Sequence, residues 1–135
     1  MALICVLDDE PTLLDLISTT LRSDGHKVLA VANPNAACDA IIGARPSVDL
    51  LITEAQIKPI SGFELVKRLR SKGIECPVIF TSHHHGIAAV LTESLGRRSV
   101  IEKPFSAAEL RSAVRKSLVT GKRSSQGGQK LSGSA

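Results

Sequence analysis

The chain has 135 residues and a net charge of +4, a length that fits one domain and a charge too small to mark a nucleic-acid-binding body. Apolar residues make up 43%, aromatic residues only 2%, and Trp and Tyr are missing, so the core must be aliphatic. A chain this poor in rings has no platform for stacking nucleobases.

In chain order, "LICVL" (3 to 7) is a buried strand. "PTLLDLISTTLRSDG" follows as a helix, with Pro11 at its first position, Leu13, Leu14, Ile17 and Leu21 on one face, and Gly25 as its stop. "KVLAVA" (27 to 32) is a second strand. Asn33 then caps a helix that has Pro34 in its first turn and ends near Gly43. "VDLLIT" (48 to 53) is a third strand, and "GFELVKRLRSKG" an amphipathic helix ended by Gly73. "PVIFTS" (77 to 82) is a fourth strand, followed by a helix through "GIAAVLTESLG" and a short fifth strand, "SVIE" (99 to 102). "SAAELRSAVRKSLV" closes the body, with Ser106 and Glu109 at capping-box spacing. Residues 1–119 read as the folded body. From 120 to 135, Ser, Gly and Gln surround Lys122, Arg123 and Lys130 with no acid, which reads as a disordered basic tail.

Strict alternation of strand and helix, with near-continuous aliphatic strands, predicts an α/β fold: a doubly wound, five-stranded parallel sheet covered by helices on both faces. Cys5, Cys38 and Cys76 have no metal-ligand spacing and read as reduced, packed thiols of a cytoplasmic protein. The start "MALICVLDDE" reads as a first strand and not a signal peptide. No apolar run approaches the ~20 residues that span a bilayer, so no membrane partner is expected.

In such sheets, ligands bind at the carboxyl ends of the strands. Those ends carry Asp8, Asp9 and Glu10 after strand 1, Glu54 after strand 3, Thr81 and Ser82 after strand 4, and Lys103 after strand 5. Two like charges at ~4 Å cost about 4 kcal/mol at an effective dielectric near 20, so this cluster needs a cation. Oxygen ligands of this kind suit Mg2+, with Asp8, Asp9 and Glu54 as the ligand set, and the chemistry suggested is phosphoryl handling.

With these residues in place, the chain resembles the receiver domain of bacterial response regulators over about residues 1 to 119. The carriers are Asp8-Asp9 after strand 1, an acid after strand 3 with Gly62 eight residues on, Ser82 after strand 4, and Lys103-Pro104-Phe105 after strand 5. The resemblance implies a flavodoxin-like (βα)5 three-layer sandwich. It also implies Mg2+-dependent transfer of a phosphoryl group from a histidine kinase to an aspartate. Ser82 and Lys103 would sense that group, and the face of the fourth helix, fifth strand and last helix would meet the downstream signalling protein or a second copy in a homodimer.

Three departures from the family pattern stand out. The acceptor position holds Glu54, which sets its carboxylate about 1.5 Å farther out; a 1 Å misplacement can cost ~10²-fold in rate. Ordinary aspartyl phosphorylation is therefore expected to be absent or very poor, and Mg2+ weakly bound or absent. Glu54 then has two open readings: a built-in imitation of the phosphorylated state, or loss of the switch with Glu54 a plain partner of Mg2+ or Lys103. The loop "IKPISG" has Pro59 one position late, so Lys58 is expected to bring a second cation near the site. The switch aromatic's position holds Val100, which has no ring to swing.

His83, His84 and His85 read as polar loop residues beside the pocket, since adjacent side chains diverge and a metal would gain two of them at most. The apolar helix "GIAAVLTESLG" reads as sheet packing, with a partner surface as the second reading. The preferred function is a stand-alone pseudo-receiver that acts by protein contact and is not an enzyme. The alternatives are a metal-dependent phosphatase-like enzyme, disfavoured because Asp8 and Asp9 are adjacent and leave no D-x-D, and a nucleic-acid binder through the basic tail.

Overall fold

A computed structural model of the chain describes residues 1–83 and 100–129. Its elements are β1 (Leu3–Leu7), α1 (Pro11–Ser23), β2 (Lys27–Val31), α2 (Pro34–Gly43), β3 (Leu50–Glu54), α3 (Gly62–Ser71), β4 (Val78–Ser82), β5 (Val100–Glu102) and α4 (Ala107–Gln129). All five strands are parallel, in the order β2-β1-β3-β4-β5. The α/β, flavodoxin-like architecture expected from the sequence is the one observed. The helix expected through "GIAAVLTESLG", with His84 and His85, lies outside the described residues.

The caps follow from residue type. The Asn33 side chain accepts from the Asn35 and Ala36 amides, and Ser106 and Glu109 exchange reciprocal hydrogen bonds at 3.0 Å. Gly25 and Gly73 end α1 and α3 at φ of +92° and +80°, a region that side chains with a Cβ avoid. The backbone of α4 stays helical to Gln129, well into the stretch that composition assigns to a tail.

Two aliphatic cores flank the sheet. Ile4, Val6, Ile52, Ile79 and Ile101 face α1 and α4, where they meet Ile17, Leu21, Leu110 and Val114. Cys5, Leu7 and Leu51 face α2 and α3, where they meet Ala37, Ile41, Leu65 and Leu69. All three thiols are free, and burial, with the neighbouring Cys76 adding to it, pushes Cys5 up to about 12. His26 is structural, because its Nδ1 accepts the Ala2 amide at 3.1 Å and helps hold the start of β1. No described helix is long and apolar enough to cross a membrane.

Candidate functional site

The strand order reverses between β1 and β3, so the crevice at their carboxyl ends is where a ligand site is expected. Side chains alternate between the faces of a strand. Asp8 therefore stands one pleat above Val6, Glu54 above Ile52, and Lys103 above Ile101, each capping an apolar column on the α1/α4 side. Glu54 is the last residue of β3 and not the first of the loop, because the ladder continues through the Ala55 amide to the Thr81 carbonyl at 2.9 Å.

Lys103 joins the cluster. Its Nζ donates to Asp8 Oδ2 at 3.0 Å and to Glu54 Oε2. The Lys103 amide donates to the Ser82 carbonyl at 2.7 Å, which fixes the height of the lysine against β4. Asp8 Oδ1 accepts the Glu10 amide at 2.8 Å, and Glu10 in turn caps α1 through the Leu13 amide. The side chains of Asp8, Glu54 and Lys103 are only 1%, 5% and 14% exposed. Charges taken this far from water are tolerated only when paired and hydrogen-bonded. Burial pulls the ammonium's pKa down, but the hydrogen bonds and charges of Glu54 and Asp8 outweigh it and hold Lys103 above the ordinary lysine value.

Gly62 closes the loop against this strand end. Its amide donates to the Ala55 carbonyl at 3.0 Å, and a Cβ at this position would lie 2.6 Å from the Glu54 carbonyl and 3.1 Å from Thr53 Oγ1. Both close atoms belong to β3, so the strand end or the loop must shift. Gly62→Ala is expected to lower stability by about 1–3 kcal/mol and to shift the amide resonances of Glu54 and Ala55, read by urea titration and by NMR.

The structure thus brings together Asp8, Glu54 and Lys103, and sets Ser82, fully buried, beside them at the end of β4. Asp9 stays exposed. Lys58, expected to supply a second cation, is exposed and forms no ion pair among the described residues. Pro59, the late proline, lies in this same loop and is also exposed. Val100 is in register with Phe80 and packs against the Ala55–Phe80 cluster, where the Phe63 and Phe80 rings lie tilted with centroids 4.9 Å apart; Phe105, just past β5, packs on the α1/α4 core. The exposed His83 approaches the cluster, its Nδ1 3.9 Å from Glu54 Oε1. Thr81 stands among the strand-end residues read from the sequence, with no function given to it there. It pairs in register with Glu54 and is 1% exposed, and its Oγ1, like Glu54 Oε1, has no hydrogen-bond partner among the described residues. Its place two residues above Ile79, on the same face, is the signal that could have found it.

The Mg2+ implied by the resemblance does not suit this arrangement. Among the described residues no three His, Cys, Asp or Glu side chains are grouped to hold a metal ion, so the Asp8, Asp9, Glu54 set is not assembled. Of the four oxygens on the two buried carboxylates, three accept hydrogen bonds, which leaves Glu54 Oε1 alone.

The family model of the response regulator receiver domain matches residues 4–115. The chain is similar to the transcriptional regulatory protein FixJ of Azorhizobium caulinodans, at 33% identity over 125 residues, covering 92% of this chain and 57% of FixJ. It is also similar to the transcriptional regulatory protein SpaR of Bacillus subtilis, at 34% identity over 119 residues, covering 84% of this chain and 50% of SpaR. The chain thus spans about half the length of these curated relatives. Among solved structures, a response regulator receiver domain protein from Clostridium thermocellum superposes with a TM-score of 0.79 at 26% identity, covering 90% of this chain and 98% of that one. NtrX from Brucella abortus superposes with a TM-score of 0.82 at 28% identity, covering 93% of this chain and 29% of that one.

Proposed function

Because the chain belongs to the response regulator receiver domain family, we propose that it is a signalling domain of two-component systems whose site is held by the Glu54–Lys103 pair and not by aspartyl phosphorylation. The observation that carries this reading is the state of Glu54. The carboxylate at the acceptor position is buried, one oxygen is bonded to Lys103, and the same ammonium holds Asp8. In the resemblance, Lys103 is the group that senses a phosphorylated acceptor. Here it is already engaged by a carboxylate one methylene longer than aspartate. The pairing is common to both readings of Glu54, imitation of the phosphorylated state and loss of the switch, and in either one the site needs no aspartyl phosphate.

Output then comes from protein contact. The partner is a histidine kinase or a downstream signalling protein, received on the face that includes β5 and α4. Val119, 49% exposed on α4, is an apolar side chain that such a contact could cover. The reading is one of binding and not of turnover, and the domain would sit in the cytoplasm with its kinases.

Intact mass after incubation with a small acyl phosphate and Mg2+ tests the proposal, with wild type beside Glu54→Asp. Wild type is expected to gain no phosphoryl group, and Glu54→Asp, whose carboxylate is about 1.5 Å shorter and so draws back from Lys103 and opens the edge to Mg2+, to gain one. A phosphoryl group on the wild type overturns the reading.

A further inference from the structure

The charge balance at the sheet edge goes beyond the phosphorylation question and holds whether or not Glu54 ever carries a phosphoryl group. Two buried carboxylates face each other across the ends of β1 and β3, and one ammonium lies between them. We propose that Lys103 is the resident cation of this edge and that its ammonium keeps divalent metal out, so the cluster is assembled without a metal ion and keeps one net negative charge.

Three observations carry the argument. The first is occupancy of the oxygens. Asp8 Oδ1 is taken by the Glu10 amide, while Asp8 Oδ2 and Glu54 Oε2 both point at the same Nζ. A bridging ion would need those two inner oxygens, and they are bonded to nitrogen. The second is the shortage of other ligands. Asp9 is exposed and outside any three-ligand group among the described residues, so on the two buried carboxylates an ion meets a single oxygen without a hydrogen bond, Glu54 Oε1. Mg2+ demands near-ideal octahedral geometry and gives up its waters reluctantly, so one such oxygen holds it poorly. The third is repulsion. A divalent ion on Glu54 would stand a few ångströms from a fixed ammonium that is mostly shielded from solvent, where like charges are costly. His83 Nδ1, 3.9 Å from that same open oxygen, narrows the approach further.

The test is a Mn2+ titration of the whole chain followed by amide NMR, since a bound paramagnetic ion erases nearby signals. In the wild type, the amides of residues 7–10 and 53–56 are expected to keep their intensity at millimolar Mn2+. In Lys103→Met, which keeps the length of the side chain but removes its charge, those same signals are expected to vanish selectively. Selective loss in the wild type overturns the proposal, and so does survival of the signals in a folded Lys103→Met. Should Lys103→Met fail to fold, refolding in Mg2+ reads the same property, because an ion that binds only the native state stabilises it. Recovery of folded chain by Mg2+ then supports the proposal, and no recovery overturns it. Metal occupancy and phosphoryl mass are separate readouts, so this inference and the functional reading can each fail alone.

Discussion

Lys103→Met in metal-free buffer is expected to cost about 3 kcal/mol of stability, the low end of what breaking a buried ion pair costs. The ammonium holds two carboxylates whose side chains are 1% and 5% exposed. Without it, two negative charges are left facing each other, and the Glu10 amide still donates to only one of them, Asp8. The low end applies because Lys103 itself keeps 14% of its surface in contact with water. Urea titration should show a lower midpoint with an unchanged slope. The pH dependence has a definite sign. The folded-state pKa of Lys103 lies above its unfolded value, so its contribution is complete below the unfolded pKa, about 10.4. It is lost as pH rises through the still higher folded value. The gap between wild type and Lys103→Met should therefore persist at neutral pH and close in strongly alkaline solution. A gap that closes at neutral pH would show that the lysine is not the group responsible.

Ile52→Ala is expected to be at least as damaging, at about 3–4 kcal/mol. Ile52 is 1% exposed in the middle of β3 and in register with Val6 on one side and Ile79 on the other. All three belong to the core under α1 and α4. Neighbouring strands cannot close the gap, because their own positions are fixed by ladders on both edges, so the lost contacts come with a cavity. Denaturant titration measures the loss. A cost under ~1 kcal/mol would mean that α1 or α4 moves in to fill the space.

Most of the fold is legible in the sequence because its signals are local. Aliphatic runs at residues 3 to 7 and 77 to 82, and caps at Asn33 and Ser106, say strand and helix without knowledge of anything distant. The site is half legible. Strand ends in a parallel sheet must converge, so Asp8, Glu54 and Lys103 can be gathered from their positions alone. Which atoms meet is another matter. A single ammonium joining both acids depends on the heights of β1, β3 and β5, and those heights are set by ladder bonds such as the Lys103 amide to the Ser82 carbonyl. Lys58 departs from expectation for the same reason: a loop's direction depends on its closure, here the contact of Gly62 with Ala55 and Glu54, and not on its residue types. Thr81 is legible as a strand-end residue but not as a neighbour of Glu54, because only the register of β3 and β4 sets the two side by side. The helical backbone of 120–129 has no signal, since Gly and Ser are poor helix formers.

The charged row above the apolar columns also governs how the sheet is threaded. Three of the strands that reach the site, β1, β3 and β5, carry at or just past their ends a charged residue that is costly to place in the apolar core. If β3 slid by one residue, every side chain on it would change face, and Glu54 would be driven among Leu51's neighbours. If it slid by two toward its start, the carboxylate would drop into the place of Ile52 and lose the lysine. Asp8 and Lys103 set the same limit on β1 and β5. The three residues therefore act as alignment marks during folding, and each strand settles where acid and base can meet. A surface evolved for signalling thus also helps tell the chain which of its many parallel pairings is the right one.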